Sequence, residues 1–123
     1  MDLTGRTAII TGANRGLGRA IAEQFVRAGA SVFLTARDEK LLHQVQDELR
    51  PLASKPGQKV HSMRVDVADP ANCRGSVEQA VTALGEITAL VNNAGVYGPM
   101  GPIESVDWDA WVQAIQVNLF GTV

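Results

Sequence analysis

The sequence predicts an α/β fold, a parallel sheet with helices on both faces, from three observations. Short apolar runs of β type alternate with stretches of helical apolar periodicity along the whole chain. A turn carrying Gly12, Gly16 and Gly18 separates the first run from the first helical pattern. A second loop of small residues, Asn92-Asn93-Ala94-Gly95, closes the fourth run.

Each element follows in order. Thr7-Ala8-Ile9-Ile10 is the first strand. Leu17, Ile21 and Phe25 recur at helical spacing and predict the buried face of the first helix, which Gly29 stops. Ser31 to Thr35 is the second strand; Leu42, Val45 and Leu49 give the next helix one apolar stripe, ended by Pro51. Ser54-Lys55-Pro56-Gly57 is a turn, and Val60 to Val67 a third strand. Val77, Val81 and Leu84 mark a third helix, and Thr88-Ala89-Leu90-Val91 a fourth strand. Val106 to Val123 reads as the start of a long helix with Trp108, Val112, Ile115 and Leu119 on one face. Trp108 and Trp111 read as core or interface anchors. In a doubly wound, Rossmann-like sheet four such strands lie as three-two-one-four, and ligands bind outside the carboxyl ends where the order reverses. The loops Thr11–Gly18 and Asn92–Gly95 follow the two strands at that reversal.

The totals bound the function. At 123 residues the chain is one domain, spanning 1–123. A formal net charge of −2 gives no electrostatic case for nucleic acid or an acidic membrane surface. The single cysteine, Cys73, cannot form an internal disulfide, which suits a reducing compartment, and its helical context reads as a packed thiol. No secretory signal or membrane span is legible, so a cytoplasmic location and no membrane partner are expected. His43 lies off its helix's apolar stripe, and His61 has no carboxylate or cysteine at ligand spacing, so no metal is expected.

The first loop carries the chemistry. Strand, glycine turn and helix together aim bare backbone N–H groups and a positive helix end at a phosphate. A Cβ would block the tight turn or hold a pyrophosphate off the main chain. Leu17 after Gly16 excludes a Walker loop, and Ile21 excludes the usual G-x-G-x-x-G spacing. The form present is T-G-x-x-x-G-x-G, over Thr11-Gly12-Ala13-Asn14-Arg15-Gly16-Leu17-Gly18. With Asn92-Asn93-Ala94-Gly95 downstream, the chain resembles the short-chain dehydrogenase/reductase family over nearly its whole length.

That resemblance implies an oxidoreductase moving hydride between a nicotinamide cofactor and a small-molecule carbonyl or secondary alcohol, possible descriptions being a 3-oxoacyl or general carbonyl reductase. The cofactor residues it implies are Gly12, Asn14, Arg15, Gly16, Leu17 and Gly18 in the first loop, with Asn93, Ala94 and Gly95 in the second, where Ala94 and Gly95 leave space for the adenosine ribose. Asn92 is assigned to steadying the sheet. Asp66 accepts from the adenine amino group while the Val67 N–H contacts the ring, although a lone Asp there also starts turns. Asn118 is given the catalytic role of a main-chain carbonyl that holds a relay water, its alternative being a satisfied amide holding a neighbouring loop. At the end of the second strand an NAD site commonly places an acid, whereas this chain has Ala36-Arg37. Arg37 and Arg15 suit a 2′-phosphate, so NADP (NADPH) is expected over NAD, and Asp38 reads as a helix N-cap. Ala36-Arg37 also argues against a methyltransferase, which shares the sheet. Family members form tetramers or dimers, which implies a homo-oligomer.

The family's catalytic serine and Tyr-x-x-x-Lys have no counterpart. Tyr97 is the only tyrosine, Gly101 stands four residues on, and Lys40, Lys55 and Lys59 all precede it. The expectation is therefore an incomplete, inactive cofactor-binding part with a bare fourth-strand edge, or a non-catalytic dinucleotide-binding module.

Overall fold

Two strands form the middle of the sheet because their β-branched and aliphatic residues are buried on both faces, as parallel sheets require. A computed structural model describes residues 1–123. The chain runs β1 (Thr7–Thr11), α1 (Gly16–Arg27), β2 (Ser31–Ala36), α2 (Glu39–Leu49), β3 (Val60–Arg64), α3 (Pro70–Leu84), β4 (Ala89–Val91) and α4 (Trp108–Asn118). Short 3₁₀ turns follow α2 at Arg50–Leu52 and α4 at Phe120–Thr122. The strands are all parallel in the order β3-β2-β1-β4, with Ile9 opposite Phe33 on one side and Leu90 on the other. This is the doubly wound, Rossmann-like order the alternation predicts. No helix is long and apolar enough to cross a membrane.

The core sits mainly on one face. Ala8, Ile10, Val32, Leu34 and Ala36 point from the sheet into Ala22 and Val26 of α1 and Leu42, Val45 and Leu49 of α2. The α2 stripe is where the periodicity puts it, and the Asp38 carboxylate accepts the Leu41 N–H at 3.0 Å to cap that helix. On the opposite face Ile9 and Phe33 meet Ala80 of α3.

Five expectations are corrected. In α1 the buried face is Gly18, Ala22 and Val26, while Leu17 is exposed and Ile21 and Phe25 are half-buried. Small residues win there because the helix lies close against the sheet. In α3 the buried residues are Ser76 and Ala80, and Val77 and Val81 stand half in solvent for the same reason. The third strand stops at Arg64 rather than Val67, because the Asp66 carboxylate turns the chain by accepting the Ala68 N–H at 3.0 Å. The last helix covers Trp108–Asn118, not Val106–Val123, and only its Val117 is buried. Trp108 and Trp111 are neither core nor buried: they stack on each other, centroids 5.6 Å apart, on the exposed side of α4.

Candidate dinucleotide site

The carboxyl ends of β1 and β4 are neighbours, and the strand order reverses between them. The loops leaving both strands, together with the ends of β2 and β3 and the last turn of α4, surround a cleft of about 760 Å³.

The floor of the cleft is the glycine turn. Gly12 has φ +63 and a Cβ there would lie 2.9 Å from the Ala94 Cα, so neither its conformation nor its space admits a side chain. A Cβ on Gly18 would run into the Gly12 carbonyl and the Asn93 amide. Gly16 differs: its φ is +56, but nothing lies within 4 Å of a Cβ, so the space over it is open. The helix that begins there is also distinct from its neighbours. Asp38, Asp69 and Asp107 cap α2, α3 and α4 with their carboxylates. At α1 the N-cap is Arg15, extended and with no side-chain hydrogen bond. The N–H groups of Gly16, Leu17 and Gly18 have no partner within the protein. A positive helix end with free donors, beside open space, has the features that suit an anion.

The β4 loop is bonded to this turn. Thr11 Oγ1 accepts the Asn93 and Ala94 N–H groups, each at 3.0 Å. The Asn93 amide donates to the carbonyls of Thr11 and Gly12, both at 3.1 Å. The steadying role assigned to Asn92 therefore belongs to Asn93. Asn92 is exposed and its side chain makes no hydrogen bond, because the loop turns it outward while its neighbour faces β1. Asn118 reaches the same loop from α4: it accepts the Val96 N–H at 2.8 Å and donates to the Val96 carbonyl at 2.7 Å. Its side chain is thus the satisfied amide holding a neighbouring loop.

Charge is confined to one part of the cleft. Arg15 and Arg37 are exposed on its wall, and neither is in an ion pair or hydrogen-bonded to another side chain. Asp38 is engaged as a cap, and Asp66 as a turn former whose own N–H goes to Asn72 Oδ1 at 3.2 Å. Behind Asp66 the Cys73 thiol donates to the Val67 carbonyl at 3.4 Å. Burial, reinforced by Asp69 and Asp66, pushes its pKa above the usual thiol value. It is a packed, protonated thiol, unsuited to nucleophilic work.

A family profile described as short chain dehydrogenase matches residues 6–123. The chain belongs to the short-chain dehydrogenase/reductase family. It is 36% identical over 117 residues to a 3beta-hydroxysteroid dehydrogenase of Eggerthella lenta, covering 95% of this chain and 44% of that one. A short-chain type dehydrogenase/reductase from Mycobacterium ulcerans superposes with a TM-score of 0.92 at 29% identity, over 99% of this chain and 44% of the other. A family member from Burkholderia phymatum in complex with NAD gives 0.89 at 34% identity, over 99% and 42%. The chain thus spans under half the length of these relatives.

In this short-chain dehydrogenase/reductase chain Gly12, Asn14, Arg15, Gly16, Leu17, Arg37, Asp66, Val67, Asn93, Ala94, Gly95 and Asn118 all come to the one cleft. Gly18 lies buried beneath it. Three contributors escaped the sequence reading. Thr11, visible only as the first letter of the glycine motif, ties the two loops together. Val96 is held through its backbone, which no residue type advertises. Thr35 lines the cleft with Oγ1 buried and unpartnered, and nothing in a strand pattern separates such a threonine from any other.

Proposed function

We propose that this chain holds the dinucleotide of an NADP(H)-dependent oxidoreductase acting on a carbonyl or secondary alcohol. One observation carries the reading: the uncapped start of α1, open at Gly16, is flanked by two arginines with no acidic partner. Free N–H groups of Gly16, Leu17 and Gly18 receive the diphosphate. Arg15 and Arg37 receive a 2′-phosphate, each able to grip it through parallel hydrogen bonds. Asp38, the acidic counter-candidate for an NAD ribose diol, caps α2 by accepting the Leu41 N–H through Oδ1. Asp66 and Val67 border the adenine, and Asn93, Ala94 and Gly95 the ribose, with the Asn118 carbonyl free to hold a relay water. The cofactor, when bound, supplies or accepts the hydride. The NAD held by the Burkholderia phymatum relative marks the competing choice.

Calorimetry with NADPH and NADH on the chain and on Arg37→Asp tests this. NADPH is expected to bind more tightly than NADH, and the substitution to weaken NADPH by about tenfold or more through loss of a charge-assisted pair. Equal affinity for the two nucleotides, unchanged by Arg37→Asp, defeats the NADP assignment.

The alternative reading is a module that holds the dinucleotide without chemistry. It predicts NADPH binding without carbonyl reduction by these residues. Assembly of the parent enzyme into dimers or tetramers and a cytoplasmic location belong to the first reading.

A further inference from the structure

The loop between β3 and α3 brings two unused polar groups to the cleft. Asp66 and Val67 both line it. Asp66 Oδ1 accepts the Ala68 N–H, whereas Oδ2 is in no ion pair or hydrogen bond. The Val67 N–H has no partner within the protein. An acceptor and a donor on adjacent residues match a base edge that carries an amino donor beside a ring-nitrogen acceptor.

What fixes that pair lies outside the cleft, in the first turn of α3. Asn72 accepts the Asp66 N–H through Oδ1 at 3.2 Å and donates from Nδ2 to Asp69 Oδ2 at 3.3 Å. Only one orientation of the amide makes both bonds, because Asp66 offers a donor and Asp69 an acceptor. The Asp66 carbonyl accepts the Asp69 N–H at 3.0 Å, and the Val67 carbonyl accepts the Cys73 thiol at 3.4 Å. Backbone groups on both sides of the free Val67 N–H are therefore held by this one turn. The helix start does not need the Asn72 side chain for its own cap, since Asp69 Oδ1 accepts the Ala71 N–H at 2.9 Å.

We propose that Asn72 is a positioning residue for base recognition. By holding Asp66 it aims the Asp66–Val67 pair, so that the site takes adenine over a base with the reversed pattern, such as hypoxanthine. The proposal rests on the dinucleotide reading for there being a base at this end.

The test is calorimetry with NADPH and with its hypoxanthine analogue, which carries an oxo group in place of the amino group and a proton on N1. The parent should prefer NADPH by about tenfold or more, since the analogue sets an acceptor against Asp66 and a donor against Val67. In Asn72→Ala and in the near-isosteric Asn72→Leu that ratio should fall about fivefold or more. Asn72→Asp, which keeps an acceptor oxygen at the same reach, should retain it. The Ala71 N–H stays capped in all three variants, so α3 is expected to persist, and urea melts check that each is folded. Equal losses of affinity for both nucleotides in Asn72→Ala and Asn72→Leu make the residue merely structural and overturn the proposal, as does a parent that binds both alike. A parent that binds neither nucleotide defeats the dinucleotide reading itself.

Discussion

On the face of the sheet covered by α1 and α2, twelve buried residues from β1, β2, β3, both helices and the glycine turn form one cluster. On the face covered by α3 the corresponding cluster is Ile9, Phe33 and Ala80. Val77 and Val81 of α3 and Leu90 of β4 are about half exposed. Burial of apolar area stabilises the first face. Polar bonds instead fix the loop that leaves β4, where Thr11 holds Asn93 and Ala94 and Asn118 holds Val96. The cleft lies along the carboxyl edge where the two faces meet. Its glycine turn belongs to the well-packed side, and its β4 loop is held by these bonds.

The sharpest way to break that contrast is to delete side chains on each face. Leu42→Ala should destabilise the chain by about 2–5 kcal/mol, because Leu42 is fully buried and a cavity remains. Val81→Ala, at a position 49% exposed, should change stability by less than about 0.5 kcal/mol. Urea denaturation measures both, and similar losses would show that the two faces are equally packed.

Smaller effects separate the helix starts. Asp69→Ala should cost about 1 kcal/mol by removing the acceptor of the Ala71 and Asn72 N–H groups. Arg15→Ser should act oppositely, raising the Tm of the unliganded chain by supplying α1 with the cap it lacks, while weakening NADPH binding. A Tm that falls, with NADPH affinity unchanged, would remove α1 from the ligand site.

The slightest effect is one of pH. Phe33 and His61 are paired in register across β2 and β3, which puts His61 on the sparsely packed face. Burial, then Arg50 and Lys59, hold its pKa below 6.5, so the unfolded chain takes the proton first. Stability should decline as pH falls through 6.5 toward the lowered native value, and His61→Gln should flatten that decline in melting curves taken across the range.

Local chemistry was legible in the sequence, and long-range choice was not. The β2 run, the Leu42–Val45–Leu49 stripe, the Asp38 cap and the glycine turn announce themselves because neighbouring residues decide them. The strand order was also available, since alternating strands and helices admit few parallel arrangements. By contrast, which asparagine of the pair faces β1 depends on the register of a strand eighty residues away in the chain, Asn93 bonding to Thr11. Periodicity likewise could not tell that α1 buries Gly18, Ala22 and Val26 rather than Leu17, and α3 Ser76 and Ala80 rather than Val77 and Val81. In α4 the pattern is apolar yet mostly uncovered, because periodicity reports which residues share a face and not whether anything lies against it.

The crowded meeting of Gly12, Gly18 and Asn93 bears on how such a sequence can drift over time. A heavier residue at eighteen would meet the carbonyl of residue twelve as well as the side chain at ninety-three, so shrinking the latter alone does not make way for it. Glycine at that position should therefore persist whatever residue the distant loop carries, since main chain cannot be traded away.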